Sequence, residues 1–254
     1  MRALILAAGF GSRLMPLTKD MPKCMVVYQG RKIIDYILIA LEENDIKEIS
    51  IVGGYKIDVL KEYLKGKTNL TFYENKIYEK SNMLYTLFCA KEFLRECVRD
   101  KKDLLISYAD IVYFKESVEK LKNCGYDLGI IVDRRWKELW ERRFSNPLSD
   151  AETLKLHGNT IIELGKKPKS YNEIEGQYIG LFKISSEFLS KVIDFYENLS
   201  CDILYDGKDF QNMYMTSFLQ LLIERFNNAT MVEIFGNWCE IDFKSDLDVE
   251  YIKG

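Results

Sequence analysis

The chain has 254 residues, 47% of them hydrophobic, enough to bury a sizeable core in one large α/β domain or two small ones. Its formal net charge of −3 gives no general reason to expect nucleic acid as a partner, so any basic patch must be local. Six cysteines without a Cys-x-x-Cys pair, and a single histidine, argue against a zinc site and for reduced, mostly buried thiols of a cytoplasmic protein.

In chain order, the apolar run Ala3 to Ala8 reads as a buried strand, too short for a secretory core or a membrane span. No other segment reaches the length of a membrane helix, so no membrane is expected. Ile33, Ile34, Ile37, Leu38 and Leu41 form a helical stripe ending near Asn44. A strand is expected over Ile46 to Val52, a helix over Ile57 to Leu64 and a strand over Leu70 to Tyr73. Ser81 is positioned to cap one helix whose buried face runs from Met83 through Leu94 to Cys97. Strands follow at Leu104 to Ser107 and Leu128 to Val132. Leu154 to His157 and Thr160 to Leu164 flank Gly158-Asn159, a hairpin pattern. Then come a strand over Tyr178 to Ile184, helices from Ser186 to Leu199 and from Met213 to Phe226, a strand over Met231 to Phe235, and a terminal helix from about Ser245. The alternation argues an α/β fold with a mostly parallel sheet covered on both faces, with ligands beyond the carboxyl ends of its strands. We read residues 1–254 as one domain, with 133–176 as an insertion over the site.

The first strand opens into a loop holding Gly9, Gly11, Arg13, Pro16 and Lys23. Glycines let backbone N–H groups approach an anion, and basic side chains add counter-charge, so the loop suits a triphosphate. It is not a Walker loop, which needs Gly-Lys-Ser/Thr after four spacers, nor a dinucleotide fingerprint, whose third small residue is replaced by Leu14. The loop, with Pro22-Lys23, resembles the signature of the nucleotidyltransferases that activate sugar phosphates and small phospho-alcohols. That resemblance implies a single Rossmann-like domain.

The resemblance assigns roles residue by residue. Lys23 would contact the α-phosphate, and Arg13 the β- and γ-phosphates that leave as pyrophosphate. Backbone of Ala7, Ala8, Gly9 and Gly11 would line the nucleotide pocket, with Gly53 and Tyr55 of Val52-Gly53-Gly54-Tyr55, and with Asn82, which could equally be only a helix cap. Asp110, after a strand, and Asp242, in GNWCEID, would hold Mg2+, with Glu240 beside them. Lys166 or Lys167 of ELGKKPK would meet the acceptor phosphate. The length and the tail after Asp242 are similar to the short cytidylyltransferase branch, which implies CTP as donor. The branch's acceptors include phosphocholine, 2-aminoethylphosphonate and the phosphoglutamine used for capsule phosphoramidate. The rivals are a sugar-1-phosphate nucleotidyltransferase and a non-catalytic module that binds a nucleotide-sugar.

His157, the lone histidine, sits at the hairpin turn and is not expected to do acid–base work. In RRWKELWERRF, Trp136 and Trp140 share a helical face, with Arg135, Arg142 and Arg143 around them. The tryptophans read either as core or as an acceptor pocket. Aromatic faces suit an amine and guanidinium groups suit a second anion, so Trp136 and Arg135 are candidate acceptor contacts.

Overall fold

The computed structural model describes residues 1–251 and 253–254. The opening apolar run is β1 (Arg2–Ala7), buried along its whole length. Its side chains alternate between two cores: Ala3, Ile5 and Ala7 face one, Leu4 and Leu6 the other. This is what a strand inside a parallel sheet requires, since helices cover both faces. After the glycine loop come a small ribbon, β2 (Val27–Tyr28) and β3 (Arg31–Lys32), then α1 (Ile33–Glu42), β4 (Ile49–Gly53), α2 (Ile57–Tyr63) and β5 (Leu70–Glu74). β4 starts later than its apolar run suggests. The Ile46 N–H returns to Leu41 O at 3.0 Å, and Asp45 takes φ 59°, so Ile46 closes α1.

The stripe expected as one helix after residue 81 is two, α3 (Met83–Phe88) and α4 (Lys91–Arg99). Asn82, not Ser81, caps the first: its side chain accepts the Met83 N–H at 2.8 Å. Then follow β6 (Leu104–Tyr108), β7 (Ile111–Tyr113), α5 (Lys115–Asn123), β8 (Leu128–Asp133) and α6 (Trp136–Arg143). The hairpin is present as β9 (Leu154–His157) and β10 (Thr160–Leu164), with Gly158 at the turn. The chain continues through β11 (Gln177–Ile184), α7 (Ser186–Glu197), α8 (Met215–Phe226), β12 (Ala229–Ile234) and β13 (Trp238–Glu240).

Nine strands make one sheet in the order β5-β4-β1-β6-β11-β8-β12-β10-β9, in which β11 and β10 run against the rest. α1 and α5 pack on one face; α3, α4, α7 and α8 supply the core on the other. Two features that periodicity does not reveal bring the chain back to the sheet's carboxyl edge. The short ribbon of β7 and β13 pairs Glu240 with Ile111, and the Ile241 N–H bonds Asp110 O at 2.9 Å. Asp133, fully buried at the end of β8, accepts from Trp238 Nε1, Gly236 N and Arg135 N at 2.8–2.9 Å, which satisfies its carboxylate and fixes where β13 begins.

The expected terminal helix is only a 3-10 turn, Lys244–Asp248. The Asp246 carboxylate takes the N–H groups of Asp242 and Phe243, and Val249 is already extended, with its carbonyl bound by the Tyr28 hydroxyl at 2.7 Å. Among the described residues, no helix is long and apolar enough to cross a membrane, and all six cysteines are free thiols.

Candidate active site

The glycine loop is held from both sides. Gly11 takes φ 66°, and a Cβ there would lie 2.9 Å from Lys23 Cβ, so the loop can close on Lys23 only without a side chain at this position. The buried Thr18 hydroxyl donates to Gly11 O at 2.9 Å. Tyr55 braces the loop from β4's end: its N–H bonds Ala8 O, its hydroxyl bonds Lys19 O at 2.6 Å, and its ring meets Phe10 edge-on. Gly53 packs against Ile57, with its carbonyl taken by Asn75 N. Beside the loop lies a cavity lined by Ala7, Ala8, Gly9, Lys23, Asn82 and Asp110, among others. Gly53 and Tyr55 therefore shape this cavity from behind rather than line it.

Asp110 follows β6 and Asp242 follows β13, and the ribbon between them sets the two carboxylates side by side. Asp110, Glu240 and Asp242 each offer an oxygen within 4.8 Å of the others. Lys23 Nζ lies between them, 2.7 Å from Asp110 Oδ2 and also bonded to Asp242, while Arg13 reaches Asp242 Oδ2 at 2.9 Å. Burial alone would lower the Lys23 pKa; the two carboxylates overturn this and hold it above its usual range. Burial would likewise raise Asp242, but Lys23, then Arg13, hold it below the ordinary carboxylate range. Glu240 is pushed up, first by burial and then by the charge of Asp242, with Arg143 opposing.

The cluster fits a hard divalent cation. It is an all-oxygen donor set, and Asp110 Oδ1 is buried without a hydrogen-bond partner. Arg143 fixes it from behind, bonding Glu240 at 2.7 Å and Asp246 at 3.1 Å with its own side chain 1% exposed. Asp246 in turn bonds the Asp242 backbone. Arg143, one of the arginines around Trp140 in the sequence, thus supports the carboxylates.

A second cavity meets the first at Asn82 and Met83 and is walled by Tyr108, Trp140, Asp150, Glu152, Tyr178 and Glu240, among others. Gly180, at φ 86° in the irregular part of β11, lets the Tyr108 ring lie against the strand; a Cβ there would fall 2.5 Å from that ring. The acceptor candidates read from the sequence stand elsewhere. Trp136 is buried against Trp140 and Tyr171, so the neighbour one turn on, Trp140, faces the cavity instead. Arg135 is held at 2.8 Å by Glu138 and by the Lys253 carbonyl, and Arg142 bonds the Glu250 carbonyl, so both serve the C-terminal tail. Lys166 pairs with Glu163 at 3.1 Å, whereas Lys167 bonds the Leu148 and Ser149 carbonyls and only partly opposes the burial that raises the Glu152 carboxyl on the cavity wall. Asp150 and Glu152 carry no motif in SDAETLK, and sequence reasoning passes over them.

Residues 2–239 match the family of nucleotidyl transferases. The chain belongs to that family. It is 62% identical over 253 residues to the CTP:phosphoglutamine cytidylyltransferase of Campylobacter jejuni subsp. jejuni serotype O:2, covering 100% of both chains. It is 40% identical over 94 residues to the choline-phosphate cytidylyltransferase of Streptococcus pneumoniae, covering 37% of this chain and 41% of that one. Among solved structures it resembles the inositol-1-phosphate CTP transferase from T. maritima, with a TM-score of 0.73 at 20% identity, over 96% of this chain and 90% of the other. That likeness establishes the fold as a nucleotidyltransferase fold. The one-domain α/β reading with a mostly parallel sheet holds.

Proposed function

We propose that this nucleotidyltransferase is a cytidylyltransferase that joins CMP from CTP to a small phosphorylated, amine-bearing acceptor and releases pyrophosphate. Phosphoglutamine is the first candidate, ahead of phosphocholine and 2-aminoethylphosphonate. The observation that carries the reading is a pair of cavities that meet at Asn82 and Met83 and share one charged cluster, with Lys23 and Asp110 on the wall of the first and Glu240 on the wall of the second. A donor in the first cavity and an acceptor in the second would bring their phosphates towards this cluster. The full-length similarity to the Campylobacter relative supports CTP and phosphoglutamine.

In the proposed reaction an acceptor phosphate oxygen attacks the α-phosphorus in line, and the bond to the β-phosphate oxygen breaks. Lys23 sits on the α-phosphate oxygens, where charge grows in the transition state, and Arg13 takes the departing pyrophosphate. Asp110 and Asp242, with Glu240, would hold Mg2+, which neutralises triphosphate charge when bound. Ala7, Ala8, Gly9 and Gly11 shape the nucleotide side, and Asn82 stands at the boundary with the acceptor side. Residues 133–176 would supply much of the acceptor wall as the insertion in a single domain spanning 1–254. A cytoplasmic site, where CTP is available, and a role in bacterial capsule or surface-polymer synthesis fit this chemistry.

The test is pyrophosphate release with CTP, UTP, dTTP and ATP against phosphoglutamine, phosphocholine, 2-aminoethylphosphonate and glucose 1-phosphate. CTP with an amine-bearing phosphate should win. A preference for dTTP or UTP with glucose 1-phosphate would establish the sugar-nucleotide reading instead, and binding without turnover of any pair would establish the non-catalytic one.

A further inference from the structure

The second cavity carries more chemistry than a phosphate needs. Glu152 is fixed by a buried amide: its N–H bonds Gln177 Oε1 at 3.1 Å, its carbonyl accepts from Gln177 Nε2 at 2.5 Å, and Gln177 is 3% exposed. Asp150 stands two residues before it, and both carboxylates are half-buried on the cavity wall. Opposite charge is sparse on that wall: Lys167 acts on Glu152 from a tether to the Leu148 and Ser149 carbonyls, and Arg143 acts on Asp150 while bonded to Glu240 and Asp246. Two donors on that wall lack a partner within hydrogen-bond distance: the buried indole N–H of Trp140, itself 4% exposed, which lies towards the Asp150 carboxylate, and the buried Tyr178 hydroxyl, which lies towards that of Tyr108. A buried donor without a partner is destabilising unless a ligand satisfies it.

We infer that the end of the acceptor remote from its phosphate is a zwitterionic amino-acid head, its ammonium bound by Asp150 and Glu152 and its carboxylate by Trp140 Nε1 and the Tyr178 hydroxyl. This rests on the proposed acceptor reading and narrows it, because a quaternary amine would use the carboxylates and aromatic faces but leave both donors empty. The assignment also replaces Arg135 and Trp136 as the residues that choose the acceptor. It is consistent with the electrostatics of the wall, where burial, then the neighbouring Asp150, push the Glu152 carboxyl up to about 7. An arriving ammonium supplies the missing counter-charge.

The experiment compares phosphoglutamine with two analogues, one lacking the α-amino group and one with the α-carboxylate converted to an amide. Turnover with CTP and calorimetric binding are both measured, on wild type, Glu152→Gln and Trp140→Phe. The wild type should favour phosphoglutamine at least 30-fold over the des-amino analogue and at least 10-fold over the amide. Glu152→Gln should collapse the first ratio towards one, and Trp140→Phe the second, through the acceptor KM with kcat and the KM for CTP little moved. Equal use of all three by wild type, or a variant that weakens the three acceptors alike, overturns the inference. Absence of cytidylyl transfer to every acceptor defeats the proposed function instead, and the binding ratios then still decide the zwitterion site.

Discussion

The two cavities share Asn82 and Met83 and are otherwise built on opposite plans. The first, proposed for the nucleotide, takes nearly half its wall from one stretch, the end of β1 and the loop to Lys23-Cys24, with the rest from residues 78–86 and Ala109-Asp110, and it offers backbone, small residues and a buried lysine. The acceptor side draws on Tyr108, Trp140, Asp150, Glu152, Tyr178 and Glu240, which no local spacing connects. The join between them is the β7–β13 ribbon, which carries Asp242 to Asp110 and Glu240 to the second cavity. Arg143 supports that join.

The largest effect expected is therefore at neither cavity. Arg143→Met would leave Glu240 and Asp246 buried without their counter-charge, and losing one partner of such a pair costs roughly 3–5 kcal/mol. Urea unfolding should show a loss of that size; a loss below about 1 kcal/mol would mean that the ribbon holds its carboxylates without this arginine. Next is the charged cluster. Asp110→Asn should lower turnover about 100-fold or more, roughly 3 kcal/mol of transition-state stabilisation, and EDTA should abolish pyrophosphate release. Undiminished activity in EDTA would remove the metal from the proposal. On the nucleotide side, Lys23→Ala should reduce kcat about 30-fold, near 2 kcal/mol, and raise the KM for CTP less, since the lysine acts where charge grows. The opposite split would make Lys23 a ground-state ligand.

What could be read in advance follows the same division. The alternation of Ala3, Ile5 and Ala7 with Leu4 and Leu6 is a local pattern, and the loop from Gly9 to Lys23 is a contiguous one, so the sheet and the glycine loop were legible. Asp110 was legible as a carboxylate after a strand and Asp242 through its GNWCEID segment; that they stand side by side comes from the β7–β13 ribbon, which periodicity does not reveal. Arg143 was visible only as one charge in a run, because its partners lie about a hundred residues away. Glu152 meets Gln177 because the chain entering β9 runs beside residues 174–177, with Leu154 bridged to Ile174 and the Glu175 N–H on Leu154 O, a tertiary fact that periodicity does not encode. The terminal segment failed for a related reason: Asp246 caps the backbone of Asp242 and Phe243 where a helix was expected.

The acceptor side can be tested by pH. Burial, then Asp150, push the Glu152 carboxyl up to about 7, so an ammonium-bearing acceptor should bind more tightly as pH rises through 7, when the carboxylate forms. The groups acting on Glu152 are Asp150, which raises its pKa, and Lys167 and Thr216, which lower it. The acceptor KM should fall about tenfold from pH 6 to pH 8, after correction for ionisation of the acceptor itself, corresponding to roughly 1.4 kcal/mol. Glu152→Gln should flatten this limb. A wild-type profile as flat as the variant's would separate Glu152 from the acceptor.

The smallest effect belongs to the residue the cavities share. Asn82 Oδ1 caps α3, and its Nδ2 donates to Asn212 O at 3.3 Å, a long bond that a nucleotide group could replace. Serine can still cap a helix but has no amide donor, so Asn82→Ser separates the two roles, whereas alanine would also lose about 1 kcal/mol of cap. If Asn82 reads the base, Asn82→Ser should leave urea stability within about 0.5 kcal/mol and raise the KM for CTP threefold to tenfold. An unchanged KM with unchanged stability would reduce Asn82 to a cap. It would also leave recognition on the nucleotide side to the glycine-loop backbone and Lys23, sharpening the contrast with an acceptor side built almost wholly from side chains.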